Sequence, residues 1–199
     1  MFAIGHFALG YLTGKASAQK LKVSLNLPLL LTVSILPDID LALRFLQHRG
    51  PTHSLITAVV FMTPFFIAYR KKVVPYFVAL VSHSLIGDFF TGGTELFWPI
   101  STASYGALNI NVTSFVNASA ELVLFVVMIA VLIKAGDLRK IVEPNNYNIV
   151  LFLPFMAVLV PMLQLGRGSE SALPLLLIIP SLFWLAMFAY SVIADLRMK

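Results

Sequence analysis

Seven apolar stretches, at about 2–14, 23–36, 53–69, 73–90, 120–133, 147–165 and 172–194, take up most of this 199-residue chain. Charged side chains make up 12% of it and hydrophobic ones 59%, where a soluble domain carries about 25% charged residues. This is the composition of a membrane protein. The expected fold is therefore an all-α, polytopic transmembrane bundle with about seven membrane segments. Several stretches fall short of the roughly 20 residues that cross a bilayer, so they are expected to tilt or to extend into their polar flanks. Prolines in or at the start of these stretches are tolerated where neighbouring helices satisfy the freed carbonyls. One membrane domain, 1–199, is expected, with its polar motifs in 1–100 and supporting helices in 120–199. No Lys or Arg precedes the first apolar run and Lys15 adjoins Ala16-Ser17-Ala18, so the amino-terminal segment reads as a retained helix, not a cleaved signal.

The basic residues set the expected orientation. With seven crossings and the amino terminus outside, the inner side receives Lys15, Lys20, Lys22, Arg70, Lys71, Lys72, Lys134, Arg139, Lys140, Arg197 and Lys199. Only Arg44, Arg49 and Arg167 of the fourteen fall outside, as the positive-inside rule requires. The same clusters explain the net charge of +5 without nucleic acid, which is not expected as a partner. The loop at 91–119 is then external and contains the sequons Asn111-Val112-Thr113 and Asn117-Ala118-Ser119.

On that topology His6, Asp38, Asp40, His48, His53, His83 and Asp88 all fall at the outer side, although only Lys and Arg were used to assign it. The chain has nine acids and four histidines, and burying them unpaired between apolar runs would cost heavily in desolvation. Facing a cation, they satisfy one another. Carboxylates and imidazoles suit zinc, manganese or iron, with zinc preferred and one to three ions expected. The absence of cysteine removes thiolate ligands and disulfides. Pro37 is expected to stop a helix and free the Asp38–Asp40 loop, and Gly50-Pro51 to turn His48 and His53 inward. From Lys22 to Pro37 an unbroken helix climbs about 22 Å, and from Lys72 to Asp88 about 24 Å. The cluster is thus expected near the outer edge of a ~30 Å core, within reach of lipid headgroups. Taken singly, the same residues have plainer readings. His6 reads as a core histidine, Asp38 or Asp40 as helix caps, His48 as a solvated loop residue, and Arg44 and Arg49 as interfacial anchors. Glu95 reads as an exposed loop acid, Glu121 as favouring a helix amino terminus, and Trp98 as an interfacial aromatic.

The combination of His6, Leu36-Pro37-Asp38-Ile39-Asp40, His48-Arg49-Gly50-x-Thr52-His53-Ser54-Leu55, Ser82-His83, Asp88-x-x-Thr91 and Trp98-Pro99 resembles the membrane-bound metal-dependent hydrolases. These are also labelled LexA-binding, inner-membrane-associated hydrolases. The resemblance covers roughly the first hundred residues and implies a polytopic membrane protein with a hydrolytic metal site. One feature departs from the family pattern, which spaces histidine and aspartate as His-x-x-x-Asp. Here His83 and Asp88 are five apart, about 140° around an ideal helix. Either a π-bulge restores a shared face, or Asp88 lies past the helix end, or Ser84 occupies the histidine slot.

The expected function is hydrolysis of an ester, foremost a phosphoester of a membrane lipid or lipid-linked molecule, by a water that a divalent ion acidifies toward pKa ~7. His6, Asp38, Asp40, His48, His53, His83 and Asp88 are the metal-ligand candidates. Asp40, His53 and Arg49 are the catalytic candidates, Arg49 as a phosphate contact, with Thr52 and Glu95 as supporting groups behind them. Expected localisation is the inner membrane, multi-pass, with the site on the extracytoplasmic side. The competing readings are a metal-binding transporter, since intramembrane ionisable groups mark ion paths, and a regulatory membrane anchor without catalysis. No Gly-x-Ser-x-Gly, Walker or dinucleotide motif is present.

Overall fold

Helix α1 (Ala3–Leu21) runs through the middle of the molecule, and its residues from Ala3 to Gly10, with Tyr11, are all buried. The computed structural model describes residues 1–43, 45–163 and 173–197. Arg44, Arg167 and Lys199, used above to assign topology, lie outside the described residues. Around α1 stand α2 (Leu27–Ile35), α3 (Leu55–Tyr69), α4 (Val74–Ser82), α5 (Phe115–Lys134), the short α6 (Asp137–Val142), α7 (Phe152–Leu163) and α8 (Ile178–Leu196). Among the described residues the chain is all-helical, with no strand beyond an isolated antiparallel bridge between Thr94 and Tyr105.

The pattern of burial is that of a protein in an apolar medium. Phe7 packs edge-on against Trp184 and Phe188, which stack on each other. Leu30, Leu31, Met128 and Leu132 complete this core. The outer faces are apolar as well: Val60 and Ile67 on α3, Val123 on α5 and Ile179 on α8 are 62–77% exposed. Inside lie His6, Asp88, Glu121 and Asp137, each at most 2% exposed.

Two helices, Phe115–Lys134 and Leu175–Leu196 with its leading 3-10 turn, are long and apolar enough to cross a membrane; Asn148–Leu163 is apolar but shorter. The stretch expected at 23–36 is helical only from Leu27 to Ile35, nine residues, or about 13.5 Å. Lys22 ends α1 in a left-handed conformation (φ 54°), and the chain needs a turn before Asn26 caps α2 by accepting from the Leu29 N–H at 3.0 Å. The stretch from Lys22 to Pro37 is therefore not the unbroken helix on which the climb of about 22 Å rests.

Two ends of this framework position the polar cluster. The amino terminus of α1 has no side-chain cap of its own, and Glu121 from α5 supplies one. Its carboxylate accepts the Phe2 N–H at 2.8 Å and the Gly5 N–H at 3.0 Å, and Asn117 Nδ2 donates to it at 2.7 Å. Glu121 thus favours a helix amino terminus as expected, but that of α1 and not its own; the contact fixes the turn that carries His6. Asn117, read above as a sequon, is buried within α5. At the end of α2 the chain tightens into a 3-10 turn, Leu36–Leu41. In that register the carbonyl of residue 34 would pair with the amide of residue 37, which as proline has no N–H. The Ser34 carbonyl is left for another donor.

Candidate metal centre

That donor is His83, whose Nδ1 lies 2.8 Å from the Ser34 oxygen. A carbonyl only accepts, so Nδ1 carries the proton and Nε2 presents a lone pair. His53 is held in the same tautomer from another side. It ends the 3-10 turn Pro51–His53, and its Nδ1 faces Asp40 Oδ2 at 3.3 Å, a carboxylate–imidazole pairing typical behind metal-ligating histidines. The Ser54 hydroxyl fixes the segment that follows, capping α3 at Ile56 N–H (3.1 Å) while donating to the Trp98 carbonyl at 2.7 Å.

The two Nε2 atoms point at each other, 3.2 Å apart. Asp38 Oδ1 stands 3.4 Å from His53 Nε2 and 3.3 Å from His83 Nε2, and Asp88 Oδ2 stands 3.2 Å and 3.4 Å from the same atoms. All four ligand atoms lie within 4.8 Å of one another. A tetrahedron with arms of 2.0–2.1 Å, the zinc–nitrogen and zinc–oxygen distances, has edges of about 3.3–3.4 Å. The spacing fits a small divalent cation held by Asp38, His53, His83 and Asp88.

His83 and Asp88 meet because the chain between them is a π-turn, His83–Asp88. In π geometry residues five apart hydrogen-bond and stack, so the irregular spacing in the sequence is taken up by a wider turn. Ser84 does not occupy the histidine slot. The turn also needs Gly87: a β-carbon there would sit 2.5 Å from His6 Cε1. His6 stacks on His83 with ring centroids 3.6 Å apart, and its Nε2 lies 3.7 Å from Asp88 Oδ1. Neither His6 ring nitrogen has a hydrogen-bond partner although both are buried, and Asp88 Oδ2 is likewise without one.

Asp40 and His48 stand in a second group that shares His53. The Asp40 carboxylate is surrounded by donors: His48 Nδ1 at 3.0 Å, Arg49 N–H at 3.2 Å and the Thr52 hydroxyl at 2.8 Å, besides His53. Burial opposes its charge, but the hydrogen bonds from His48, His53 and Thr52 hold its pKa well below the ordinary value. In this structure Asp40 braces His53 from behind and Thr52 braces Asp40, while His48 is exposed at the rim.

Arg49, in a left-handed conformation (φ 64°), swings its guanidinium over the cluster. Nη1 donates to the Thr91 carbonyl at 2.9 Å and Nη2 to Asp88 Oδ1 at 3.3 Å. Only a glycine at 92 admits it, since a β-carbon there would lie 2.3 Å from Nη1. The Met1 amine donates to Asp88 Oδ1 and the Thr91 hydroxyl at 2.9 and 3.0 Å. Glu95 is buried, not exposed; it accepts from Gln47 Nε2 at 3.1 Å, and its N–H donates to the Arg49 carbonyl at 2.9 Å. It supports the loop that carries Arg49. Sequence reading passed over Ser34 and Gly87, and the proline three residues after Ser34 was the available signal for the first.

Fold and site together define a helical membrane-type protein with a buried carboxylate–imidazole cluster able to hold a metal ion. Residues 1–162 match the model of the YdjM inner membrane protein family, and the chain belongs to that family. The matched description names a membrane location and no reaction. No curated protein and no solved structure matches the chain.

Proposed function

We propose that the chain is a multi-pass inner-membrane hydrolase that uses a divalent ion, zinc by preference, to cleave a phosphoester of a lipid or lipid-linked substrate. The observation that carries the reading is the convergence of Asp38 Oδ1, His53 Nε2, His83 Nε2 and Asp88 Oδ2, with both oxygens 3.2–3.4 Å from both nitrogens and the nitrogens 3.2 Å apart. Those four side chains would hold the ion, which supplies Lewis acidity and an acidified water. The chain's own residues supply the rest. Asp40 keeps the His53 lone pair directed inward, Ser34 does the same for His83, and the Arg49 guanidinium offers donors to a phosphate oxygen beside the cluster. The unpartnered nitrogens of His6 lie beside the cluster, with Nε2 3.7 Å from Asp88 Oδ1.

The site is proposed to face the extracytoplasmic side. Lys22 and Lys72 lie a helix length away from the cluster, at the far ends of α1 and α4, and positive-inside bias puts that end in the cytoplasm. Since the chain has no cysteine, single cysteines introduced at exposed Phe45 and at Lys71 report the two sides: an impermeant maleimide added outside is expected to label the first and not the second.

The activity test uses protein purified in detergent without chelator. Metal analysis is expected to find bound divalent ion, and phosphoester substrates are expected to be hydrolysed, with His53→Ala inactive. Bound metal with no hydrolysis, but with metal flux in vesicles, would replace this reading with transport. Full activity in His53→Ala would remove the site assignment itself.

A further inference from the structure

Two cavities with a shared wall lie along the bundle, the larger running beside α2 from Ser24 at the lysine-rich end to Leu36. The larger, about 840 Å³, lies between α2, α3 and the connection from α6 to α7; Leu29, Val33, Phe61 and Phe65 form an apolar wall, and Lys72 and Tyr69 stand at one end. The smaller, about 450 Å³, lies between the end of α1 and the start of α6 and is lined by Lys15, Lys22, Lys140 and Asp137. Ser24, Leu25, Leu27 and Lys140 line both, so an apolar groove and a basic vestibule lie side by side. The groove's volume is that of a ligand pocket, and exposed Phe61 and Phe65 flank its side opening through α3.

The charges at the vestibule are out of balance. Asp137 is met by Lys15, Lys140 (2.8 Å) and the Tyr11 hydroxyl (3.0 Å). Glu143, on the groove's rim, pairs with Arg139 at 2.8 Å. Among the described residues neither Lys22 nor Lys72 has an ion-pair partner. Both are exposed, Lys72 lining the apolar groove and Lys22 the vestibule beside it. An occupant must therefore be apolar along most of its length and anionic at one end.

We infer that this groove and vestibule bind an anionic phospholipid of the surrounding bilayer, with an acyl chain along α2 and α3 and the phosphate at Lys22 and Lys72. Basic pockets between membrane helices recognise anionic headgroups in this way. The phosphate end of the site is separate from the metal cluster: His6 and Lys22 are at opposite ends of α1, about 24 Å apart along the helix. The inference does not rest on the hydrolase reading.

Native mass spectrometry of the purified full chain, titrated with phosphatidylglycerol or phosphatidylcholine in mixed micelles, tests it. Phosphatidylglycerol is expected to bind one per chain and phosphatidylcholine markedly more weakly. The double variant Lys22→Gln, Lys72→Gln is expected to lose about thirtyfold in affinity for phosphatidylglycerol, from the contribution of two surface lysines. Lys71→Gln, a neighbour outside the lining, is expected to leave binding unchanged. Leu29→Trp, which fills the groove, is expected to abolish it. Equal binding of the two lipids, wild-type affinity in the double lysine variant, or displacement of the lipid by inorganic phosphate alone would each overturn the inference.

Discussion

Replacing Asp40 with asparagine changes one atom and isolates the role of the carboxylate behind His53. Asp40 Oδ2 accepts from the Arg49 N–H at 3.2 Å and the Thr52 hydroxyl at 2.8 Å and faces His53 Nδ1 at 3.3 Å, while Oδ1 faces His48 Nδ1 at 3.0 Å. An asparagine has only one acceptor oxygen to serve both sides. With that oxygen toward His53 the tautomer survives and only the negative charge is lost. With the amide nitrogen toward His53, two donors meet; the imidazole then moves its proton to Nε2 and can no longer offer a lone pair to the cluster. Loss of such a bracing group lowers metal affinity about 10–100-fold, or about 1.4–2.8 kcal/mol, and the two amide orientations correspond to the two ends of that range. Chelator-competition titration of zinc into detergent-solubilised protein reads the change directly. His53→Ala, which removes a ligand outright, is expected to fall below Asp40→Asn. If Asp40→Asn binds zinc as tightly as wild type while its far-ultraviolet circular dichroism is unchanged, Asp40 does not orient His53 and the reasoning fails.

Three further outcomes follow from packing and charge. Gly87→Ala places a β-carbon 2.5 Å from His6 Cε1 in a buried stack, so a loss of about 1–3 kcal/mol is expected by thermal unfolding, with weaker metal binding as the ring is displaced toward His83. Glu121→Ala leaves the Phe2 and Gly5 N–H groups and the Asn117 amide without their acceptor, and a cost of about 1–3 kcal/mol is expected; an unchanged melting temperature would show that α1 needs no cap from α5. Asp137, outside the membrane helices, is buried, which opposes its charge, but hydrogen bonds from Lys140, Lys15 and Tyr11 hold its pKa below the ordinary value. Its contribution to stability is therefore full above about pH 4, the value in an unfolded chain, and is lost as pH falls through the lower folded value. Melting temperatures measured between pH 6 and pH 3 should fall less steeply in Asp137→Asn than in wild type.

Much of the arrangement is legible in the sequence because it depends on one-dimensional quantities. Helix content follows from apolar stretch length, and the placing of His6, His53 and His83 at one end follows from the alternation of lysine-rich and histidine-rich helix ends. What is not legible depends on local backbone geometry or on distant partners. Asp38 and Asp40 look alike on paper, and only the 3-10 turn after Ile35 sends one into the cluster and the other behind His53. The span of 23–36 could not reveal that its first residues are spent on a turn after Lys22. Glu95 reads as an exposed loop acid because nothing nearby shows that Gln47 and Arg49 fold over it. Glu121 caps a helix whose first residue lies more than a hundred positions earlier, a contact that no local pattern encodes.

The widened turn from His83 to Asp88 holds one residue more than an ordinary helical turn between the same two functional groups. Leu85 and Ile86, within it, face outward and are 40% and 39% exposed, so the surplus residue need not belong to the core. Deleting either one would restore regular winding and leave imidazole and carboxylate four positions apart, the interval of the His-x-x-x-Asp pattern. Two spellings of the same constellation can thus be interconverted by a single codon, and a search that insists on a fixed interval will overlook chains that differ from this one only in how their helix is wound.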